Sequence, residues 1–372
     1  MVLCQSLISG QEVQPVNLDQ EFPTGESTLY YDGITLDFGL RIQGRFVFDD
    51  GTDNQDMMLR RTRIKAMGDI YEFGNYFLEL RADNINQDQA DASVQLEAGF
   101  IDLAISEEHF LMIGLYDVPF SRGLLTGDSR LLFMDRGIIV DELAGLGLVD
   151  NTVGVMAHGR PSGGKYEYAF GISDNRAFDA DASFGSTGSN QLMPAGRLVA
   201  NLLDPAPVDG YGDYRASYIG EGERLALGTN IASLGGATNG AGSFDIFALG
   251  FDLFGNLGPW TYQGEFDTVR KNQTSGAGSD SRTSGWYLQT GYVLPFEVPF
   301  AGSNLKLEPT LRYQQLEPDS EVANDRSTWT SVGMNAYLKG HNLKLQMDFT
   351  MKDEQGVELA NNTFMVQVQF DF

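Results

Sequence analysis

The sequence lacks the cysteines and the long apolar runs that characterise several other classes of protein. Cys4 is the single cysteine among 372 residues, so no intrachain disulfide can form. No run of apolar residues is long enough for a membrane-spanning helix, and the mean hydropathy is −0.21. A membrane β-barrel remains compatible with this absence, because its strands alternate lipid-facing and water-facing residues and average to near neutrality.

Positive charge is also scarce. The chain has 25 lysines and arginines against 51 aspartates and glutamates, which gives a net charge of −26. Binding to a polyphosphate requires a basic face. The charge balance therefore argues against a nucleic-acid partner.

Motifs for catalysis are missing too. The chain has only three histidines, and it contains no Gly-x-Ser-x-Gly elbow, no glycine-rich phosphate loop with lysine and no His-Glu-x-x-His pair. We therefore expect no catalytic residue, no cofactor and no enzymatic activity.

Two acidic clusters could bind calcium or bridge lipopolysaccharide through divalent ions: Asp49, Asp50, Asp53 and Asp56, and Asp179 and Asp181. They lack the ligand spacing of a dedicated calcium loop, so we expect solvated loops and no metal site.

The first residues offer two interpretations. The segment Met1-Val2-Leu3-Cys4 could end a lipoprotein signal, but Leu3 is too bulky for the residue before a lipidated cysteine. Because a basic segment and a full apolar segment are missing, we expect any signal peptide to be removed or truncated already. We assign residues 1–30 to an N-terminal periplasmic segment and residues 31–372 to one barrel.

What the sequence does contain is an alternation of apolar and polar residues with a period of two, from Ile34 to the last residue. The final segment shows the alternation most cleanly. One of its faces comprises Phe364, Val366, Val368, Phe370 and Phe372, and the other comprises Met365, Gln367, Gln369 and Asp371.

About sixteen such segments have the length of a membrane-spanning strand. We place them at 34–48, 57–68, 74–83, 95–106, 109–117, 151–160, 165–174, 194–203, 222–233, 243–255, 258–270, 283–294, 303–315, 328–339, 341–352 and 361–372. Tight turns and long polar loops alternate between them, which is typical of outer-membrane barrels. The connections 204–221 and 295–302 are long where a short turn is expected, and the first could hold a mispaired strand or a periplasmic excursion.

A soluble β-sandwich would also show alternation, since it buries one face of each sheet. The regular long and short connections argue against a sandwich, and no fixed-period repeat supports a solenoid. The sequence therefore predicts an all-β fold, a transmembrane antiparallel β-barrel.

Short motifs resemble the phosphate-selective porin O/P family. The segment GLYDVPFSRGLL from Gly114, followed by RLLFMDR from Arg130, resembles that family's strand ending in Gly-Gln-Phe-x-Val-Pro-Phe-Ser and its downstream Phe-Met-Glu-Arg element. The segment LRRTRI from Leu59 is similar to its Arg-Arg-Ala-Arg second-strand motif. The ending Val-Gln-Phe-Asp-Phe372 is similar to the terminal-phenylalanine signal read by the barrel-assembly machinery.

The resemblance implies a sixteen-stranded homotrimeric porin in the outer membrane of a Gram-negative bacterium, in contact with membrane lipid and lipopolysaccharide. It also implies a third loop folded into the lumen, and a water-filled channel for passive diffusion of small hydrophilic solutes and ions, including anions such as phosphate. A barrel with a non-transport role, as an enzyme or as an adhesion or structural scaffold, is the alternative. Asp117 stands where the family often has lysine, and the third loop contains no lysine.

Alternation predicts a basic stripe on the water-facing side of the first three strands: Arg41, Arg45, Arg61, Arg63, Lys65 and Arg81. We expect these residues of the third loop at the constriction: Asp117, Arg122, Asp128, Arg130, Asp135 and Arg136. The loop could face the stripe across the constriction and create a transverse field. Alternatively, the arginines pair locally with Asp37, Glu79 and Asp83 and stiffen the wall. Because the loop carboxylates oppose the arginines, we expect a weakly selective pore without tight phosphate binding.

The remaining wall is acidic. By alternation it carries Glu265, Asp267, Glu308, Asp348 and Asp371. These carboxylates could favour cations, although charges in a wet lumen are more often simply solvated.

Overall fold

The computed structural model describes residues 29–31, 33–52, 54–86, 94–146, 148, 151–174, 192–207, 211–212, 214–239, 242–276, 279–356 and 361–372. Cys4, Asp53, Asp179 and Asp181, and nearly all of the predicted periplasmic segment, lie outside these ranges.

Strands dominate the described chain. In the first half they are β1 (Leu29–Tyr31), β2 (Ile34–Asp49), β3 (Asn54–Ile70), β4 (Gly74–Arg81), β5 (Gln95–Ser106), β6 (His109–Asp117), β7 (Asn151–Gly159), β8 (Tyr166–Asp174) and β9 (Met193–Asn201). In the second half they are β10 (Glu223–Asn239), β11 (Gly242–Leu257), β12 (Trp260–Gly276), β13 (Ser281–Tyr292), β14 (Glu297–Phe300), β15 (Ser303–Glu317), β16 (Ser327–Lys339), β17 (Leu343–Glu354) and β18 (Thr363–Asp371).

Sixteen of the described strands, all except the short β1 and β14, form one closed antiparallel barrel. Each pairs with the next barrel strand along the chain, and β13 pairs with β15 past the intervening β14. The last strand closes the barrel on the first, in a register that runs from Thr363 opposite Asp49 to Asp371 opposite Arg41. Closure leaves no unpaired sheet edge, as a structure embedded in lipid requires. The predicted fold class is therefore confirmed.

The predicted strand positions are confirmed, and the largest differences lie at the long-loop ends of β10 and β12. There the ladder continues to Asn239 and Gly276, beyond the predicted ends at 233 and 270. These extensions are rich in Gly, Ser, Asn and Thr, so they carry no apolar alternation that would reveal them. The connection 295–302 contains β14, which forms a hairpin with the start of β15.

The barrel is apolar outside and polar inside. Large apolar side chains are exposed all round the outer face, for example Phe38, Ile64, Phe170, Phe251, Leu288 and Val368. Buried polar side chains on the inner face include Gln43, Asn335, Gln346 and Gln369. This arrangement inverts that of a soluble protein and matches a strand whose faces meet lipid and lumen in turn.

The third loop, between β6 and β7, contains helix α1 (Arg122–Leu125), a 3-10 helix (Asp128–Arg130) and helix α2 (Ile138–Gly145). The hydroxyl of Ser121 caps α1 by accepting a bond from the Leu124 N–H. Backbone N–H groups of the loop donate to wall side chains: Gly123 to Glu265 (2.8 Å), Met134 to Asp348 (2.7 Å) and Ile138 to Gln314 (3.0 Å). These contacts accord with an inward course of the loop, and its narrowing of a lumen stays a prediction.

An apolar patch on the inner wall lies under α2. Wall residues of β9 to β13 form it, namely Met193, Ala195, Ala232, Leu234, Phe244, Ile246, Ala248, Val269 and Tyr287. Loop residues that pack on it are Val118, Phe120, Ile138, Ile139, Val140, Leu143 and Leu148. Burial of these side chains fixes the loop to one side of the barrel, because exposing them to water would cost roughly 1.5–3 kcal/mol for each large side chain.

Across the described ranges, no helix combines the length and the apolar character needed to span a membrane.

The packing of α2 yields a first prediction. Ile139 is fully buried in the patch, so Ile139→Ala should weaken the docking of α2 by about 2–5 kcal/mol through lost contacts and a cavity. Hydrogen exchange of the α2 amides should accelerate while the barrel amides keep their protection. The matched control is Ile113→Ala on the outer face, where the side chain is 46% exposed. Equal exchange of the α2 amides in the two variants would contradict the packing role.

Candidate pore-lining site

The basic stripe is created by strand pairing. In the ladder of β2 and β3, Arg41 lies opposite Arg63 and Gln43 lies opposite Arg61. Like charges directly opposite each other destabilise a sheet. The arrangement therefore requires carboxylates close to the guanidinium groups.

Asp128 of the third loop is the carboxylate that these arginines share. Its oxygens lie 3.0 Å from Arg61 Nε, 3.6 Å from Arg63 Nη2 and 3.8 Å from Arg41 Nη1. A fourth guanidinium, that of Arg136, lies 2.5 Å away and also donates to backbone carbonyls within the loop. One loop carboxylate thus contacts two wall strands and its own loop.

The charge state of Asp128 follows from these contacts. Burial raises the pKa of its carboxyl, but the guanidinium groups of Arg136, Arg61 and Arg63 outweigh burial and hold the pKa well below its usual value of 3.8. Asp128 is therefore ionised at neutral pH and in mild acid, and its ion pairs weaken only as the pH falls through this lowered pKa.

A second set of carboxylates surrounds Arg63. Its Nη1 lies 2.7 Å from Glu79 and 2.6 Å from Glu97, and its Nη2 lies 2.7 Å from Asp83. Arg81 also pairs with Glu97, at 2.7 Å. The sequence analysis gave local pairing as one of two hypotheses, and the structure contains the pairs of Arg63 with Glu79 and Asp83.

The other two stripe residues are paired as well. Arg45 Nη1 lies 2.8 Å from Asp135, and its Nη2 donates to the carbonyl of Met134. Lys65 Nζ lies 2.9 Å from Asp371 at the end of β18. The structure therefore brings the loop carboxylates into direct contact with the stripe rather than across an open gap.

The remaining loop residues have different surroundings. Asp117 and Arg130 line the same cavity as the stripe. Arg122 does not, because it is 1% exposed and its guanidinium lies between the rings of Tyr214 and Phe254.

Beside these contacts, residues of this wall and of the third loop line a cavity of about 1060 Å³. It reaches from Asn342 and Phe372 at the short-turn end to Asn84 and Gln95 at the long-loop end. Its cationic lining residues are Arg41, Arg60, Arg61, Arg63, Lys65, Arg81, Arg130 and Arg136. Its acidic lining residues are Asp37, Asp69, Glu79, Asp83, Glu97, Asp102, Asp117, Asp128, Asp141 and Asp371. Cationic and acidic residues are therefore present in nearly equal numbers in the lining of the cavity.

The remaining wall, predicted to be acidic, is largely not solvated as expected. Glu265, Asp267, Glu308 and Asp348 are buried, and of the five predicted wall carboxylates only Asp371 lines the cavity. Glu265 and Asp348 accept backbone N–H groups of the third loop. Alternation predicts the direction of these side chains correctly, but it cannot predict that loops cover them.

Among the charged residues of the site that sequence reasoning missed, two sit at β-bulges, Arg60 and Glu97. The pairing of β2 with β3 shifts at Gly44, where Arg60 is the extra residue, and the pairing of β4 with β5 shifts at Glu79, where Glu97 is the extra residue. A bulge reverses the alternation locally. The double arginine at 60 and 61 interrupts the strict alternation of β3 and could have signalled the first bulge.

Among the described residues, histidine and carboxylate side chains form no group of three or more that could hold a metal ion.

A profile of the family described as phosphate-selective porin O and P matches residues 33–372. The chain belongs to this family. It is an outer-membrane channel for passive diffusion, and the porin assignment made from the sequence motifs is confirmed.

Relatives of this porin extend the comparison. An uncharacterised protein of Aquifex aeolicus (strain VF5) is 25% identical over 300 residues, which covers 75% of this chain and 68% of that protein. A trimer form of OmpT, an outer membrane protein of Vibrio cholerae, superposes with a TM-score of 0.59 at 9% identity and covers 92% of this chain and 100% of OmpT. OmpF of Salmonella typhi in complex with daunomycin gives 0.56 at 12% identity, with 93% and 100% covered. At these identities the two solved structures share only the fold with this porin.

The shared carboxylate gives a second prediction. Asp128→Asn should leave the guanidinium groups around it without their common counter-charge, and the loss of a buried partner typically costs about 3–5 kcal/mol. Anions should then pass more readily, so the reversal potential under a salt gradient should shift toward anion preference. The control is Asp56→Asn, which removes the same charge from an exposed position at the start of β3. Identical reversal potentials in both variants would show that Asp128 does not set the charge of the passage.

Proposed function

We propose that this porin is a weakly selective general-diffusion channel whose open passage follows β2 to β6, beside the third loop. The observation that carries the proposal is the cavity of about 1060 Å³ that extends between the two ends of the barrel along this wall. In this proposal five stripe residues and four charged residues of the third loop line the passage: Arg41, Arg61, Arg63, Lys65, Arg81, Asp117, Asp128, Arg130 and Arg136. Arg45, Arg122 and Asp135 are not among the residues that line this cavity.

Weak selectivity follows from ion pairing. The six stripe residues each have a carboxylate within 4.0 Å, so their charge is largely neutralised before an ion arrives. A tight phosphate site would need cations that are free to turn toward the ligand. The aspartate at 117 and the absence of lysine from the third loop favour the same conclusion.

We further propose a homotrimer in the outer membrane of a Gram-negative bacterium, in contact with lipid and lipopolysaccharide. The apolar outer face supports contact with lipid. The solved OmpT barrel in its trimer form supports the oligomeric state by analogy of fold alone.

A non-enzymatic role is part of the proposal. Each histidine bonds to a different group: His109 to the Tyr168 hydroxyl, His158 to Asp102, and His341 to the carbonyl of Ser217. An arrangement for nucleophilic catalysis would need a serine hydroxyl or a cysteine thiol bonded to a histidine, whereas the Ser217 hydroxyl donates to Glu308. An adhesion or scaffold role remains the second candidate, and a barrel with that role would not conduct ions.

The selectivity proposal is tested in planar bilayers. Purified protein should form open channels whose reversal potential stays close to zero under a potassium chloride gradient, and millimolar phosphate should leave the conductance unchanged. Strong anion preference with phosphate block would overturn weak selectivity. An absence of channels would overturn the transport role itself and favour a scaffold.

The trimer is tested by native mass measurement in mild detergent. We expect a mass of three chains that falls to one chain on heating in sodium dodecyl sulfate. Monomers alone, from material that still conducts, would exclude the trimer as the functional form.

A further inference from the structure

The connection between β9 and β10 folds into the barrel interior at the short-turn end, where the carbonyl of Ser217 bonds to His341 in the turn before β17. Its described residues are 202–207, 211–212 and 214–222. The Tyr214 hydroxyl donates to Glu167 on β8 at 2.7 Å, and the Ser217 hydroxyl donates to Glu308 on β15 at 2.8 Å. Because β8 and β15 are separated by several strands around the barrel, the connection crosses the barrel interior between them.

The same segment pairs with the tip of the third loop. Tyr214 forms a parallel bridge with Thr126, in which the Tyr214 N–H donates to the Leu125 carbonyl and the Gly127 N–H donates to the Tyr214 carbonyl. The Ala216 N–H donates to the Arg130 carbonyl at 3.0 Å. These backbone bonds lie on both sides of Asp128 in the chain, at Gly127 before it and at Arg130 after it.

A buried cation strengthens the junction. The guanidinium of Arg122, in α1, lies 4.5 Å from the ring centre of Tyr214 and 4.0 Å from that of Phe254 on β11. Cation–π contacts gain strength when the cation is removed from water. Tyr214 of the connection and Phe254 of the wall therefore both contact Arg122 of the third loop.

The inner wall is adapted to this connection. Asn256 on β11 donates to the carbonyls of Glu221 and Gly222, both at 3.0 Å, and Ala216 and Ser217 are almost fully buried. Buried polar groups need partners. If the connection left the interior, Glu167 Oε2 would lose its bond to Tyr214 and Glu308 Oε1 would lose its bond to Ser217, while Glu167 Oε1 would keep Asn201 and Arg160. The loss of these two buried bonds favours the inward position.

We infer that the β9–β10 connection is a positioning element of the pore, which enters from the short-turn end, holds the tip of the third loop with Asp128 against the stripe, and keeps the β8 to β15 side of the barrel closed. This inference rests on the proposed pore function. Loosening the connection should open a second route and free the loop tip.

The main test is the double variant Tyr214→Ala with Ala216→Pro, measured in planar bilayers. It removes the ring between Arg122 and Glu167 and the N–H that bonds to Arg130. We expect single-channel conductance to rise by about twofold or more as the passage widens, with a shift of reversal potential toward anions. The control is Tyr218→Phe on the same segment, because the Tyr218 hydroxyl has no hydrogen-bond partner among the described residues. Wild-type conductance in a folded double variant overturns the inference.

A cysteine pair keeps the test valid if the double variant fails to fold. Thr126→Cys with Tyr214→Cys, in a chain with Cys4→Ser, places two thiols at the bridge. Oxidation should form a disulfide and give wild-type conductance, and reduction of the same channels should raise it. No disulfide, or equal conductance in both states, overturns the positioning role. If the wild type itself fails to conduct, the proposed pore function falls, whereas a conducting wild type with unresponsive variants removes only the role of the connection.

Discussion

The buried contact between Asp128 and the guanidinium groups of the inner wall is the interaction on which the rest of the interior depends. Strand pairing brings Arg41 and Arg63 face to face on adjacent strands, and removing several like charges from water without a counter-charge costs several kcal/mol per ion. Wall carboxylates pair with Arg41 and Arg63, and Asp128 of the third loop adds a charge that both share with Arg61. The wall and the loop are therefore one electrostatic unit.

The interior consists of two parts that are held by different interactions. On the β9 to β13 side, an apolar patch and α2 exclude water from the wall. On the β2 to β6 side, charged side chains of both signs surround a continuous cavity. If solutes pass through this cavity, as we propose, hydrophobic packing closes one side of the interior and ion pairing sets the charge that the other side presents to a solute.

Most of the fold could be predicted from the sequence, and a smaller part of the site. Alternation gave the strands and the direction of residues such as Arg61 and Lys65, because a pleated backbone points successive side chains to opposite faces. It failed at Glu97 and Arg60, where a bulge adds one residue and reverses the direction locally. It also gave no indication that Glu308 would be covered by a connection distant in sequence.

The sequence by itself determined the period of two, the family motifs and the chemical inventory of the wall, since each depends on residues near one another in the chain. The tertiary structure alone decided which wall residues meet water. Met134 bonds to Asp348 across 214 positions, and Ser217 bonds to Glu308 across 91. Such contacts depend on how two loops pack inside a closed barrel, and local alternation carries no information about which part of the interior the loops occupy.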